Sequence, residues 1–321
     1  MQMENSKLKS GMTAGLKKGW DGFVWMLKIL VPISLLTALL SWSGWINHLD
    51  FVFEPVMGVI GLPPVAAIPL IAGLTTGIYG AIAAMAPLPL TADQMTLLAV
   101  FLVISHNLIQ EGVVQSKSGL PFAKATFFRL LASISTVVVV SRFMGPETAT
   151  NALLDIRDTA HIPLFTMLGT WAITNLILAA KMLVIIVTLM TTLEVMKRYQ
   201  MIDRILRVMA PVLKALGLGR QTGFLWFTAA IFGLTYGAAV IVEEAKAGHF
   251  AKDELERLQI SIGINHAMIE DPAVFLALGL SPFWLWVPRL AAAVIAVQLF
   301  IAYKRLISLP GFSRYLLWHK R

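Results

Sequence analysis

The sequence predicts an all-α integral membrane protein, built as an inverted repeat of two halves. Each half is expected to have three transmembrane helices, an interfacial helix and a re-entrant helical hairpin. Composition is the first reason: the 321 residues are 57% hydrophobic and only 14% charged, whereas a soluble domain carries about 25% charged residues. The second reason is that the chain repeats its own sequence at an offset of 160 residues.

The internal repeat rests on three motifs and on the identity between the segments that hold them. The paired motifs are GLTTG (73–77) with GLTYG (233–237), ISHNLIQE (104–111) with INHAMIED (264–271), and Arg129 with Arg289. In the 60 positions that begin at the first motif, 15 residues are identical in the second copy. Chance would give roughly a third of that number in so apolar a composition, so we interpret the pattern as a duplication.

The distribution of Lys and Arg indicates which apolar segments cross the membrane. The apolar segments are 23–45, 64–87, 94–110, 121–143, 163–194, 222–242, 257–278 and 282–303. If all of them cross, the basic segment 197–220 lies outside, which contradicts the positive-inside rule. If 64–87 and 222–242 instead turn back at their glycine motifs, 20 of the 26 Lys and Arg are cytoplasmic and only Arg142 and Arg157 are external. The sequence therefore predicts two re-entrant hairpins and cytoplasmic termini.

This topology divides the chain into five parts and leaves two interfacial helices, at 48–62 and 197–220. The parts are a cytoplasmic amphipathic N-terminus (1–22), the first repeat (23–145), an external linker (146–162), the second, inverted repeat (163–306) and a basic cytoplasmic tail (307–321). The net charge of +8 is attributed to cytoplasmic loops that face anionic lipid, and no nucleic-acid partner is expected. Because the chain has no cysteine, disulfides, iron–sulfur clusters and thiolate metal sites are excluded.

Polar side chains interrupt the apolar segments at matching places in both halves. The glycines allow a turn at the hairpin tips, where threonine hydroxyls can bond freed backbone groups. Ser and Asn beside the two histidines compete for backbone hydrogen bonds and are expected to break the helices there. The predicted substrate-binding residues are Thr75, Thr76, Ser105, His106, Asn107, Gln110, Glu111, Arg129, Thr235, Tyr236, Asn265, His266, Glu270, Asp271 and Arg289.

The two histidines are the centre of this prediction. Histidine is the side chain that titrates nearest neutral pH, so the pair is a candidate proton site. Gln110 and Glu270 follow one helical turn later and are expected to orient the imidazoles, while Glu111 and Asp271 add a charge one residue further on. The alternative is structural: each histidine bonds the opposing hairpin and holds the fold together.

Arg129 and Arg289 lie about eight residues inside their spans, about 12 Å along a helix. They are expected either to pair with Glu111 and Asp271 or to attract an anion. An internal salt bridge without a functional role, or snorkelling to the interface, is the alternative.

The order of these elements resembles the Gate, or nucleoside recognition, domain family. That group includes spore maturation proteins A and B and is related to the ferrous-iron transporter B core and to concentrative nucleoside transporters. The resemblance covers about 20–310 and implies a transport-like core in the bacterial inner membrane. Cysteines proposed to handle iron in the iron transporter have no counterpart here. The nucleoside-binding pattern is matched loosely, by Asn107, Gln110 and Glu111 and by Asn265, Glu270 and Asp271.

The function predicted from these features is that of a secondary transporter or permease. A midplane site would take a small polar solute, nucleoside-like or anionic, with proton coupling through the paired histidines. The alternatives are a divalent metal channel with His106, His266, Glu111 and Asp271 as ligands, and a non-transporting scaffold for a partner protein. No enzyme motif or cofactor site is found. The expected partners are the solute or ion and membrane lipids, with a second copy or a paired Gate-family protein as the candidate protein partner.

Overall fold

The computed structural model describes residues 2–45, 50–144, 162–199, 201–246 and 250–308, and every regular element in these ranges is helical. In chain order the helices are α1 (Gln2–Trp42), α2 (Asp50–Val59), α3 (Ala67–Thr76), α4 (Ile78–Met85), α5 (Ala92–Ser105), α6 (Leu108–Lys117), α7 (Phe122–Ser141), α8 (Leu164–Arg198), α9 (Ile202–Val208), α10 (Ala210–Ala215), α11 (Arg220–Lys246), α12 (Lys252–Asn265), α13 (Glu270–Phe275) and α14 (Pro282–Ser308), with 3-10 turns at Pro64–Ala66 and Leu276–Leu278. The predicted all-α class is confirmed for these residues. Nearly all of the predicted linker (146–162) and tail (307–321) lies outside the described residues.

Five segments within the described ranges are long and apolar enough to cross a membrane, as expected of a multi-pass membrane protein. They are Lys7–Trp42, Ala92–Lys117, Phe122–Ser141, Leu164–Arg198 and Pro282–Ile307. The sixth predicted crossing, 257–278, is divided between α12 and α13, which have only 14 and 6 residues. Two helical segments from the predicted interfacial helix and first hairpin, Phe53–Val59 and Pro64–Thr76, are together also long and apolar enough to cross, but they meet at an angle of 87°.

The helix α1 is longer than the sequence predicts. Its 41 residues continue without a break through the predicted boundary at residue 22, so residues 2–22 continue the helix of the first candidate span. At 1.5 Å per residue α1 is about 60 Å long, whereas the hydrocarbon core of a bilayer is about 30 Å thick. The 35-residue helix α8 is about 50 Å long by the same measure. Both helices therefore extend beyond the membrane core.

The extended part of α1 packs closely on α8 through three glycines spaced four residues apart. Gly11, Gly15 and Gly19 face α8, and the approach is closest at Gly15, where an added Cβ would lie 2.3 Å from the Cα of Thr191. Small residues at this spacing let two helix backbones meet closely. This contact is not among the features that the sequence predicts.

The chain reverses direction between α3 and α4. The reversal is at Gly77, which has a φ of 90°. A Cβ placed on Gly73 would lie 3.0 Å from the Cβ of Ala81, although eight residues of straight helix span about 12 Å. In the second half the corresponding segment, α11, is broken at Gly233, with a φ of 73°. Because Gly233 is the repeat partner of Gly73 and not of Gly77, the two breaks differ by one helical turn, which the sequence repeat did not indicate.

We expect Gly15→Ala to lower the stability of the protein by roughly 1–3 kcal/mol, because the added methyl group has no room against the backbone of α8. Gly169→Ala is the matched control, since it places the same methyl group on α8 where no atom lies within 4 Å. Thermal unfolding of both variants in detergent measures the difference. Equal melting temperatures for the two variants would contradict the close packing of α1 on α8.

Candidate functional site

Two helix breaks, 160 residues apart, form the frame of the candidate site. After α5 the backbone is extended at His106, with ψ of 161°, and left-handed at Asn107, with φ of 53°. After α12 it is extended at His266, with ψ of 165°, and left-handed at Ala267, with φ of 44°. The helix breaks predicted at the two histidine motifs are therefore present, with the same sequence of backbone conformations in each half.

Each break is hydrogen bonded to the glycine-containing segment of its own half. The amide of Asn107 donates to the carbonyl of Gly73 at 2.9 Å. In the second half the amides of Ala267 and Met268 donate to the carbonyls of Ala229 and Ala230, at 3.0 and 2.6 Å. Backbone groups freed by a break in an apolar environment need such partners, so the glycine-containing segment and the broken helix of each half form one unit.

The two arginines bind the carbonyl groups at the breaks. Arg129 donates from Nε to the carbonyl of Ile104 at 3.0 Å and from Nη2 to that of His106 at 2.6 Å. Arg289 makes the equivalent pair of bonds in the second half. Both side chains are 1% exposed, so the snorkelling alternative is wrong. The arginines complete the hydrogen bonding that the ends of α5 and α12 lack.

Glu111 is the carboxylate that connects the two halves. One of its oxygens, Oε2, lies 2.7 Å from Nη2 of Arg129. The other, Oε1, lies 3.2 Å from Nε2 of His106 and 3.0 Å from Nε2 of His266. The expected pairing of Arg129 with Glu111 is thus present, and Glu111 also contacts the histidine of the other repeat.

Asp271 belongs to the same cluster, but its contacts are longer than those of Glu111. Its Oδ2 lies 3.7 Å from Nε2 of His106 and 3.8 Å from Nη2 of Arg289. The two histidine Nε2 atoms are 3.4 Å apart. Asp271, Glu111 and both histidines are each less than 9% exposed. Charges this deeply buried are stable only when paired, so the cluster is a polar contact between the repeats inside an apolar protein.

Gln110 and Glu270 do not orient the imidazoles, contrary to the sequence-based expectation. The Nδ1 atom of each histidine instead bonds a carbonyl one turn earlier in its own helix, at 2.8 Å and 2.9 Å. Gln110 accepts a hydrogen bond from Nδ2 of Asn107 at 3.1 Å. Glu270 accepts one from the hydroxyl group of Tyr79 at 3.1 Å, which is a second link between the halves.

Three more predicted residues lie near the breaks but bond elsewhere. Ser105 donates its hydroxyl to Oγ of Ser133 at 3.0 Å in the protein interior. Thr75 and Thr76 are exposed, and both return their hydroxyls to carbonyls one turn earlier in α3. The threonines therefore do not bond the backbone groups freed at the hairpin turn.

The remaining predicted residues are Asn265, Thr235 and Tyr236. Asn265 is fully buried, and neither atom of its side-chain amide has a hydrogen-bond partner among the described residues. The side chains of Thr235 and Tyr236 lie outside the described part of the structure. Asn265, which precedes His266 in the chain, is thus a buried amide whose hydrogen-bonding capacity is unused.

Sequence reasoning missed polar residues that lack a counterpart in the other repeat. Tyr79 bonds Glu270, and Trp286 donates from Nε1 to the carbonyl of Met268 at 2.6 Å, just beyond the second break. The repeat partners of Tyr79 and Trp286 are Ala239 and Thr126, so comparison of the two halves could not find them.

A second polar cluster is centred on Glu256, which lies in α12 and is 5% exposed. It contacts Nζ of Lys124 at 2.7 Å and Nζ of Lys304 at 3.0 Å. These ion pairs connect α12 to α7 and α14.

A cavity of about 320 Å³ lies between α1 and α8, where Trp42, Trp171 and Asn175 are among its lining residues. None of the predicted site residues lines it. The histidine cluster is therefore separate from this cavity and is enclosed by protein in the conformation described.

We expect Arg129→Met to cost roughly 3–5 kcal/mol of stability, because Glu111 and two backbone carbonyls would lose a buried partner. Arg142→Met, at the exposed end of α7, is the control and should change stability by less than about 0.5 kcal/mol. Thermal or chemical unfolding in detergent compares them. A similar, small effect of both substitutions would mean that the buried ion pair is not needed for folding.

Comparison with known proteins places the chain among membrane proteins. The family model described as Gate, nucleoside recognition, matches residues 23–147. The uncharacterized membrane protein YvoD of Bacillus subtilis (strain 168) is 30% identical over 289 residues, which cover 89% of this chain and 91% of that protein. No solved structure matches the chain. The matched model covers the first repeat with its glycine motif, histidine break and arginine, and the relative covers both repeats.

Proposed function

The chain belongs to the Gate, or nucleoside recognition, family of membrane proteins, and from this premise we propose that it is a secondary transporter or permease-like protein of the bacterial inner membrane. It moves a small polar solute, nucleoside-like or anionic, through a site between its two repeats. The observation that carries the proposal is the convergence of two broken helices, one from each repeat, on a buried cluster of two histidines and two carboxylates. Broken helices that meet between repeats are typical of transporter binding sites.

The membrane arrangement that belongs to this proposal is the inverted repeat. The hairpins 64–87 and 222–242 enter the membrane and return, so the halves face opposite leaflets. The charge distribution supports this, with 20 Lys and Arg on the cytoplasmic side and two outside. The reversal of the chain at Gly77 and the break at Gly233 also support it.

The unused hydrogen-bonding groups of the cluster favour a polar solute. The Nη1 atoms of Arg129 and Arg289 are buried and have no hydrogen-bond partner among the described residues, and the amide of Asn265 is in the same state. Unpaired buried donors are costly. A solute with oxygen acceptors, such as a nucleoside or an oxyanion, can satisfy them. Because the cluster is enclosed, solute entry requires the repeats to separate at this contact.

Proton coupling through the two histidines stays a prediction. It is tested by comparing uptake into proteoliposomes with and without an imposed pH gradient. Uptake that does not depend on the pH gradient would exclude proton coupling, but it would not exclude the proposed solute site.

The proposed topology can be tested with single introduced cysteines, because the chain has no native cysteine. Ala92→Cys, at the exposed start of α5, is expected to react with an impermeant maleimide in intact cells. Arg207→Cys, on the exposed surface of α9, is expected to react only after the membrane is opened. The reverse pattern, or labelling of both residues from outside, would refute the inverted arrangement.

For transport, we expect proteoliposomes with the purified protein to take up radiolabelled uridine or inorganic phosphate, the two probes that represent a nucleoside and an oxyanion. His106→Ala and His266→Ala should abolish uptake, because each removes one half of the contact between the repeats. Lys214→Ala, at an exposed position in α10, is the control and should transport normally.

The melting temperature of each variant separates loss of transport from loss of folding. Normal uptake by both folded histidine variants would refute the site. Absence of uptake by the folded wild-type protein with both probes would refute nucleoside-like and phosphate transport, and would favour the scaffold alternative.

A further inference from the structure

The histidine cluster brings four hydrogen-bond acceptors together without a donor between them. The Nε2 atoms of His106 and His266 are 3.4 Å apart. Oε1 of Glu111 lies 3.2 Å from the first and 3.0 Å from the second. Oδ2 of Asp271 lies 3.7 Å from Nε2 of His106, and His106, His266 and Asp271 can each offer one ligand atom within 4.8 Å of the others.

The backbone decides which histidine nitrogen carries the hydrogen. Each Nδ1 faces a carbonyl oxygen, that of Leu102 or that of Ile262, at 2.8 and 2.9 Å. A carbonyl only accepts hydrogen bonds, so each Nδ1 is the protonated nitrogen and each Nε2 presents a lone pair in the neutral ring. Lone pairs that face one another repel, and a positively charged species among them is required. A histidine that donates its second N–H to a backbone carbonyl is also the usual arrangement of a metal ligand.

The distances in the cluster fit a metal ion. The separations of 3.0 and 3.2 Å between Oε1 of Glu111 and the two imidazole nitrogens also lie within the range of an N–H···O hydrogen bond, so the experiments below separate a metal ion from shared protons. In a tetrahedral site with ligand distances of about 2.0–2.1 Å, neighbouring ligand atoms are about 3.3–3.4 Å apart. The three closest separations, 3.0, 3.2 and 3.4 Å, lie near that edge length.

From this geometry we infer that His106, His266, Glu111 and Asp271 bind a divalent first-row transition metal ion with tetrahedral preference, Zn²⁺ being the best match. Two nitrogen and two oxygen ligands suit such an ion. Each repeat supplies one histidine and one carboxylate, so the ion ties the two halves together. The inference deepens the proposed function, because separation of the repeats during transport would open the coordination shell.

The arginines act on this site through the carboxylates. Arg129 holds the outer oxygen of Glu111 at 2.7 Å and leaves Oε1 free to face the histidines. When both imidazoles are neutral, the two guanidinium groups and the two carboxylates give the cluster a net charge of zero. A bound divalent ion therefore raises that net charge by two. The C-terminal ends of α5 and α12 point their carbonyls at the cluster and offset part of this, at about half a charge each.

The first experiment is metal binding by the full-length chain, purified without a histidine tag, stripped with EDTA and titrated with Zn²⁺. We expect about one ion per chain by mass spectrometry of the metal, and a higher melting temperature in its presence. His106→Ala, His266→Ala and the isosteric Glu111→Gln should each weaken binding at least about tenfold. His249→Ala, a histidine that is not among the four ligands, is the control and should bind normally.

A spectroscopic readout reports on geometry and does not depend on transport. Co²⁺ in place of Zn²⁺ should give the intense visible absorption of a tetrahedral cobalt site, and Glu111→Gln should abolish it. A folded wild-type protein with no stoichiometric ion, or with unchanged binding in the folded ligand variants, would overturn the inference and leave protons as the cation.

Uptake of uridine or phosphate after EDTA treatment separates this inference from the proposed function. Metal binding without solute uptake would support the site and refute transport. Solute uptake by a protein that binds no metal would support transport and refute the metal site. Wild-type uptake that depends on Zn²⁺, and that is lost in Glu111→Gln, would support both.

Discussion

The rest of the structure depends on the pairing of buried arginines with carboxylates at two helix breaks. A break inside an apolar environment frees backbone carbonyls that no water can satisfy. Arg129 and Arg289 supply the donors for those carbonyls, but each brings a positive charge that needs a partner. Glu111 and Asp271 are those partners, and Glu111 also reaches the histidine of the other repeat. The requirement to satisfy each break therefore also holds the two repeats in contact.

The duplicated sequence gives two similar breaks, but it does not give a symmetric site. Glu111 contacts its arginine and both histidines at 3.2 Å or less, whereas the contacts of Asp271 are 3.7 and 3.8 Å long. One polar link, from Tyr79 to Glu270, also has no counterpart. The two carboxylates, although they occupy matching positions in the repeats, therefore differ in how closely they contact the histidines and arginines.

The enclosed cluster connects the fold to its proposed role. The two carboxylates and two histidines are nearly inaccessible, and the contacts among them run between residues far apart in the chain. Packed contacts of this kind have discrete arrangements and do not deform continuously. A ligand that binds better to one arrangement shifts the balance between the closed state and a state in which the repeats have separated. A polar contact placed between the repeats is therefore suited to control access, because water or solute can replace its bonds when it opens.

The sequence by itself determined the membrane class, the helical content and the two histidine breaks, because composition, repeated motifs and turn-forming residues are local signals. Only the tertiary structure decided what those residues face. It placed Glu111 against the distant His266, gave each imidazole Nδ1 a carbonyl of its own helix in place of Gln110 or Glu270, and packed Gly15 on α8. Contacts between repeats depend on how helices pack in three dimensions. That packing is set by side chains on many helices at once, so it cannot be inferred from the spacing of residues along a single segment.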